Sequence, residues 1–600
     1  MRMAKGRAHS EGRSGCLLLL MNSVPFIPES APFNAEQRQW LNGYIAGLFS
    51  DASSTVAGRM MGEPSAAPAK PLAILFGSQT GTAEGLAKKT AKEAAKRGFG
   101  PKLVCMDKHE SLDLTNAKNL LVITSTYGDG DPPDNAQGFW SYLSSDAAPR
   151  LDGVRFSVLA LGDTNYPAFC EFGKMCDARI EQLGAKRMYP RADCDVDYEA
   201  PAAAWTEGVF TAMGGMGDMS PMTPINPIAE VPTRKRPFPA HLLVNRKLTR
   251  DGSEKEVRHF EISLEGSGLV YEVGDALGVM PTNCPALVGD LLAALGCDGE
   301  EAVAIDGGEL PLRLALLQHF DITKPSTDLL NAAAAHGAEF APLLDPERRE
   351  ELKKWLWGRE VFDVIASLPR QFSAAEFIAL LKKPQPRLYS ISSSLKAHPD
   401  EVHLTVGSVR HNSHGRARKG VCSIFLADRC SDDTAVPIWI QASHGFKLPT
   451  DLCRDVIMVG PGTGIAPFRA FLEEREITGA TGRNWIFFGD QRRAFDYLYE
   501  ETLEAWRTGG HLARLDLAFS RDQAEKIYVQ HRMLEAAAEL WAWLEGGAHF
   551  YVCGDASRMA KDVDAALHTI CEKAGGLSAD AARGYVNKLK SEKRYQRDVY

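Results

Sequence analysis

Along its 600 residues the chain changes hydrophobic period several times, and each change marks a different kind of element. Residues 34–49 (NAEQRQWLNGYIAGLF) set apolar side chains three and four apart, which predicts a short amphipathic helix. From 72 to 210, short β-rich runs (LAILFGS, NLLVITST, RFSVLALGD) alternate with helical stretches such as 83–97. That alternation predicts a doubly wound α/β domain on a parallel sheet. Between 240 and 449 the chain begins and ends with strand-like alternation (HLLVNRKLT, VRHFEISL, RLYSISSS, VHLTVGSV) around a helical stretch at 285–380. This pattern predicts an antiparallel barrel carrying an inserted helical subdomain. From 455 to 600, strands and helices alternate again (DVIMVGPG, NWIFFGD, RLDLAFS, HFYVCGD), giving a second parallel α/β domain.

The fold class expected is thus α/β plus β-barrel in several domains. A leader, short helix and linker cover 1–70, the first α/β domain 71–210, a hinge 211–235, the barrel 236–450 and the second α/β domain 451–600. The linker at 52–69 is rich in Ala, Gly, Pro and Ser, and 213–232 is rich in Gly, Pro and Met with no sustained period.

Composition narrows the class. With 44% hydrophobic and 24% charged residues the chain is globular. No apolar run reaches the roughly 18 residues that span a bilayer. Near the start, Cys16-Leu17-Leu18-Leu19-Leu20-Met21 is too short for a secretory core and precedes no small-residue cleavage site. It reads as an unstructured leader, or Met21 as the true start. A net charge of -9 argues against nucleic acid as a general partner. Twelve cysteines are too sparse for a disulfide scaffold and read as reduced thiols of a cytoplasmic protein.

The candidate chemistry gathers at strand ends. After LAILF come Gly77-Ser78-Gln79-Thr80-Gly81-Thr82-Ala83 and a helix, a phosphate cradle made of backbone N–H groups. It lacks the Gly-Lys-Ser/Thr of a nucleotide-hydrolysing loop. Two later loops, Ser125-Thr126-Tyr127-Gly128-Asp129-Gly130 and Leu161-Gly162-Asp163-Thr164-Asn165-Tyr166, with Cys170 just beyond, converge on the same crevice. The three loops together resemble flavodoxin. That resemblance implies FMN, with residues 78–83 on its phosphate and Tyr127 and Tyr166 on the ring faces.

In the barrel, Arg387-Leu388-Tyr389-Ser390 is similar to the Arg-x-Tyr-Ser signature of ferredoxin-reductase-type flavoproteins and implies FAD. Arg387 suits a phosphate, Tyr389 a stacked flavin and Ser390 the hydride-accepting side of the ring. Thr405-Val406-Gly407 and Gly420-Val421-Cys422-Ser423 follow as the strand and phosphate-binding turn of that signature. In the last domain, Gly462-Thr463-Gly464 opens a helix after a strand, where a pyrophosphate can approach the backbone. Ser520, Arg521, Lys526, Tyr528 and Gln530 suit a 2′-phosphate and favour NADPH over NADH. Asp562 is assigned to the same site.

Flavodoxin unit, hinge, barrel with helical insertion and NADPH unit occur in the order of the diflavin reductases, and the resemblance extends over 71–600. It implies that Ser390, Cys553 and Asp598 meet at the hydride-transfer site, and that Tyr600 stacks on FAD and moves aside for nicotinamide. The segments 194–199 and 520–531, and the ending Arg594-Tyr595-Gln596-Arg597-Asp598-Val599-Tyr600, most resemble the bacterial sulfite-reducing branch of that family. His411 stands where that branch tends to have Tyr. The branch implies a separate sirohaem and iron–sulfur haemoprotein as acceptor; the alternative is a general NADPH–haemoprotein reductase. Cys170 and Cys176 match half of a sirohaem-cluster motif, but no Cys-x3-Cys completes it. The helix at 34–49 is a candidate for homo-oligomer assembly, and Asp129, Asp131 and Asp134 for docking a basic partner face.

Overall fold

The computed structural model describes residues 70–600 apart from 80, 128–129, 165–167, 196–197, 215–231, 369–371, 432–433 and 444. The leader, the helix at 34–49, the linker at 52–69 and most of the hinge lie outside the described residues.

Six strands build the first sheet: β1 (Lys70–Gly77), β2 (Phe99–Cys105), β3 (Asn119–Ser125), β4 (Arg155–Leu161), β5 (Lys186–Arg187) and β6 (Ala192–Cys194). All pair in parallel in the order β2-β1-β3-β4-β5, with β6 beside β4. Leu120–Ile123 and Val158–Leu161 are continuous apolar runs because helices cover both sheet faces. Those helices are α1 (Thr82–Lys96), α2 (Gln137–Ser144), α3 (Glu171–Gln182) and α4 (Glu199–Ala212). On α4 the buried Trp205 satisfies its indole N–H on Ser157 Oγ at 2.8 Å. The order reverses between β1 and β3, which opens a crevice beyond their C-terminal ends.

Antiparallel strands follow: β7 (Phe238–Ala240), β8 (Leu242–Lys247), β9 (Glu256–Ser263), β10 (Ala276–Val279), β13 (Arg387–Ser390), β14 (Glu401–Ser408) and β17 (Val436–Gln441). One sheet runs β13-β10-β17-β7 and the other β14-β9-β8. A bridge at Ile391↔Leu404 joins them, and both bury side chains in one core around Phe260, Leu277, Val402 and Ile438. Two short hairpins, β11 (Ala302–Ile305) with β12 (Gly308–Pro311) and β15 (Arg410–Ser413) with β16 (Arg416–Lys419), sit outside these sheets. Between β10 and β13 the helical insertion runs from Pro285–Leu295 to Ala374–Ala379 and has its own apolar core, including Leu292, Leu316 and Phe377. Its first helix starts with Pro at N1 and stops at Gly296 in the left-handed region, while a Ser373/Glu376 capping box starts the last.

The last sheet is parallel in the order β20-β19-β18-β21-β22. Its strands are β18 (Val456–Val459), β19 (Asn484–Asp490), β20 (Arg514–Phe519), β21 (His549–Gly554) and β22 (Tyr595–Val599). Here the order reverses between β18 and β21. Helix α5 (Val421–Ile424) follows β16, and α6 (Ala466–Ile477) follows β18. Among the described residues no helix is long and apolar enough to cross a membrane.

Where the antiparallel sheets meet α6, a polar cluster stands beside the apolar seam of Val257, Phe446, Phe468 and Phe471. His259 contacts Tyr499 OH at 2.9 Å and Glu261 at 3.0 Å; His403 contacts Glu401 at 3.1 Å, and Arg469 donates to its Nδ1 at 3.4 Å. Every ring nitrogen in this pair is therefore engaged. Burial, reinforced by the Arg469 charge, pushes His259 down to about 3 and His403 down to about 2. Below about pH 6.5 the unfolded chain binds protons that these folded imidazoles refuse, so stability present above that pH is lost as pH falls. The slope is about 1 kcal/mol per pH unit for each histidine. Thermal melts between pH 7 and 4.5 are expected to show this acid loss, with a flatter profile for His403→Gln.

Candidate functional site

The first candidate centre lies at the ends of β1, β3 and β4. Gly81 has φ +92° and is the N-cap of α1, so the first turn of that helix starts at the crevice. Ser78 Oγ accepts from Gly81 N at 2.9 Å, and Ser78 N donates to Asn135 at 2.9 Å. Gln79 does not point to the cradle alone: its Nε2 donates to Asp134 Oδ2 at 3.1 Å, and Asp134 N donates back to its Oε1 at 2.9 Å. Gln79 N also reaches Ser125 Oγ at 3.4 Å. Thr82 and Ala83 open the helix.

The second loop folds back on itself, Tyr127 N and Asp131 N each donating to the other's carbonyl at 2.9 and 2.8 Å. Thr126 N donates to Leu161 O, and Thr126 Oγ1 accepts from Phe172 N at 3.2 Å, which ties the second loop to the third. In the third loop a Cβ on Gly162 would stand 2.7 Å from Cys170 N, so only glycine fits there. Cys170 is buried with φ +55° and caps α3. Thr80, Gly128, Asp129, Asn165 and Tyr166 lie outside the described residues.

Asp163 of the third loop also lines a cavity of about 420 Å³ with Arg387, Leu388, Arg234, Lys324 and Trp439. The first α/β unit and the Arg387–Ser390 motif thus share one opening. Among the described residues Arg387 hydrogen-bonds main-chain carbonyls, those of Gln385 and Pro386, both at 3.2 Å, and makes no ion pair. An arginine so held beside a cavity with further cations fits a phosphorylated cofactor. On β13, side chains alternate. Tyr389 faces Cys422 of α5, where burial raises both groups, while Leu388 is 54% exposed and Ser390 turns to β22. Thr405 does not face the opening: its hydroxyl is buried against Tyr499 OH at 2.7 Å. Val406 is core, whereas a Cβ on Gly407 would lie 3.9 Å from Thr463. Gly420 and Val421 start α5, and Ser423 Oγ accepts from Val409 N at 3.2 Å. His411 is exposed on β15.

At the β18/β21 switch three predicted residues come together. Ser390 Oγ donates to Asp598 Oδ2 at 2.5 Å, and Cys553 Sγ lies 3.8 Å from the same oxygen. Burial raises both the Asp598 carboxyl and the Cys553 thiol above their ordinary values. Burial is the cause of the Asp598 rise, and the hydrogen bonds from Ser390 and Cys553 offset it only in part.

The chain end is pinned. Tyr600 N donates to Gly554 O at 3.1 Å, its carbonyl accepts from Ala556 N at 3.1 Å, and its hydroxyl meets Thr463 Oγ1 at 2.9 Å. The residue is nonetheless 65% exposed. Gly464 packs so tightly on β21 that a Cβ would stand 2.2 Å from Cys553 O. Gly464→Ala is expected to push this turn off β21, at about 1–3 kcal/mol of stability, and to abolish most NADPH-driven turnover; calorimetry and steady-state kinetics check both.

Of the residues assigned to the 2′-phosphate, Ser520 donates to Asp490 O, Arg521 pairs with Glu254, and Lys526 makes no ion pair among the described residues. Tyr528 is 42% exposed, and Gln530 donates to Asp562 at 3.1 Å. Two residues that no motif signalled stand beside them. Lys255, on the turn between β8 and β9, pairs with the buried Asp490 at 2.5 Å, and its Nζ would be 3.8 Å from a Cβ on Gly462.

Two flavin-type openings that share a cavity, with a dinucleotide turn against the second, define a diflavin reductase. The matching family models agree: flavodoxin over residues 74–205, FAD binding domain over 231–425 and oxidoreductase NAD-binding domain over 458–565. The sulfite reductase (NADPH) flavoprotein alpha-component of Bacillus subtilis is 46% identical over 97% of both chains. Those of Vibrio cholerae and Vibrio vulnificus are 42% and 39% identical over 94% and 100% of this chain, and 94% and 99% of their own. The chain belongs to this family of NADPH-dependent flavoproteins, and its cofactors are FMN, FAD and NADPH.

Proposed function

We propose that this chain is the electron-supplying component of a cytoplasmic NADPH-sulfite reductase. Electrons pass from NADPH to FAD to FMN and then to a separate sirohaem and iron–sulfur haemoprotein that reduces sulfite to sulfide. When bound, the two flavins convert the two-electron donor into single-electron steps. The observation that carries the reading is the contact of the three units at one place. The Ser390–Asp598–Cys553 cluster and the Thr463–Tyr600 contact lie at the end of β22, where Arg597 also pairs with Asp134 of the FMN unit.

In this reading the first turn of α1 holds the FMN phosphate and Tyr127 flanks the ring. Arg387 and the turn at 420–423 hold FAD phosphates, and Tyr389 supports the FAD ring. Gly462 and Gly464 admit the NADPH pyrophosphate to the backbone, while Ser520, Arg521 and Lys526 read the 2′-phosphate. Ser390 and Cys553 would orient nicotinamide, Asp598 would hold the compensating proton, and Tyr600 would have to move to admit nicotinamide to the flavin. Asp134 is held by Arg597 while the FMN unit is docked, so it reaches a basic partner only after release.

Sulfide formation on mixing the chain with a purified sirohaem subunit, NADPH and sulfite tests the acceptor. Stoichiometric NADPH-dependent sulfide is expected. NADPH oxidation with reduction of other haemoproteins but no sulfide would overturn it in favour of a general haemoprotein reductase. Tyr600→Ala is expected to tighten NADP⁺ binding severalfold, since the nicotinamide no longer competes with the ring; titration calorimetry checks this.

A further inference from the structure

The turn between β8 and β9 belongs to the antiparallel sheets, yet Arg250, Ser253, Glu254 and Lys255 on it are all engaged with the NADPH unit. Arg250 N donates to Phe495 O at 2.8 Å, and its guanidinium pairs with Glu500 at 2.6 Å. Ser253 Oγ donates to Asp496 at 2.5 Å. The next two residues diverge: Glu254 pairs with Arg521 and Lys255 with Asp490. These contacts bracket the ends of β19 and β20, because Ser520 N and Arg521 N donate to the carbonyls of Asp490 and Gln491 at 2.9 and 2.8 Å. Glu254 and Lys255 thus straddle the nucleotide groove from outside its own domain.

Their chemistry differs. Lys255 is anchored by a carboxylate that is almost fully enclosed, with Asp490 Oδ2 buried and without a hydrogen-bond partner among the described residues. Its ammonium therefore stays beside the Gly462 turn. Glu254 and Arg521 are both substantially open to solvent, so their pair is weak and exchangeable. Arg521 offers its planar fork to one oxyanion at a time on that side, and in the absence of nucleotide the Glu254 carboxylate takes the place.

We propose that Glu254 is a specificity-determining residue that acts through Arg521: its carboxylate stands in for the 2′-phosphate and must be displaced when NADPH binds. This rests on the reading of Arg521 as a 2′-phosphate ligand. The exchange breaks no covalent bond. One carboxylate leaves the guanidinium, and a more highly charged phosphate replaces it. A nucleotide with a plain 2′-hydroxyl cannot replace it and leaves the ion pair intact. Glu254 thereby lowers affinity for every 2′-phosphorylated nucleotide by the strength of a surface ion pair, while keeping Arg521 extended across the groove.

The test measures binding of 2′-AMP and 5′-AMP, and KM for NADPH and NADH, in the full-length holoprotein with Glu254→Gln, Arg521→Ala and the double variant. Glu254→Gln is expected to tighten 2′-AMP and lower the NADPH KM about two- to fivefold, with 5′-AMP and the NADH KM unchanged. In the Arg521→Ala background the same substitution is expected to have no effect. If Arg521→Ala weakens 2′-AMP but Glu254→Gln leaves it unchanged or weaker, the stand-in role is overturned and the assignment of Arg521 survives. If Arg521→Ala leaves 2′-AMP binding intact, both are overturned. Equal shifts for 2′-AMP and 5′-AMP in Glu254→Gln would mark a general loosening of the turn and also overturn the proposal.

Discussion

Asp598→Asn is expected to lower NADPH-driven reduction of an added haemoprotein about a hundredfold, the scale of losing one preorganised polar group at a reacting centre. The variant keeps the shape of the side chain but fixes a neutral amide where wild type has a titratable carboxyl. That carboxyl is buried, accepts a 2.5 Å hydrogen bond from Ser390 and has Cys553 Sγ 3.8 Å away. Burial raises it from the usual carboxylate range, and the two neighbouring donors only partly offset this. Wild-type turnover is therefore expected to titrate above ordinary carboxylate pH values, and the variant to lose that limb. Flavins reduced chemically with dithionite are expected to deliver electrons at the wild-type rate in Asp598→Asn. Stopped-flow absorbance separates the two. A loss in both routes would place the defect after the NADPH step and count against this role.

Asp134→Asn is expected to slow electron passage between the flavins about tenfold, and to make that passage insensitive to salt. Asp134 begins the short 3-10 turn that leads into α2, yet it is gripped by Arg597 of β22, with one contact at 2.9 Å, and by Gln79. Burial works against the Arg597 charge, and Asp134 outweighs it, so the guanidinium stays firmly protonated. Removing one member of a mostly buried pair leaves the other uncompensated, a cost on the order of 3 kcal/mol at full burial and less here, where the side chains keep 13% and 24% exposure. A shift of about 1.4 kcal/mol in the docked state accounts for the tenfold change. A charge-reversed pair, Asp134→Arg with Arg597→Asp, is expected to recover part of the rate. Flash photoreduction at several salt concentrations is the measurement.

The elements that carry the fold were legible because their periods differ. Mostly apolar strands such as β3 and β4 read as buried parallel strands, and the antiparallel strands showed alternation. The glycine positions were equally legible, since Gly162 and Gly464 occur where a side chain would collide with backbone. Ser390, Cys553 and Asp598 are distant in sequence and became a set only through resemblance to a family; the structure brings all three onto one oxygen.

What sequence could not show is how the units face one another. Nothing in the turn sequence DGSEK marks Glu254 and Lys255 as reaching the nucleotide groove, because their partners, Arg521 and Asp490, lie more than two hundred residues away. Arg597 differs from its neighbour Asp598 only by strand alternation, yet that sends one side chain to the FMN unit and the other to Ser390. Thr405 shows the reverse: it belongs to a flavin motif, but its hydroxyl is spent on Tyr499. The acidic loop shows it again, since Asp134 is held by Arg597 while Asp131 remains exposed.

Selective removal of FMN tests the electron order most directly. FMN-depleted protein that retains FAD is expected to oxidise NADPH with ferricyanide at close to the full rate, to fail in reducing the haemoprotein, and to regain that activity on adding FMN. Undiminished haemoprotein reduction by the FMN-depleted protein would contradict the path from NADPH through FAD and FMN.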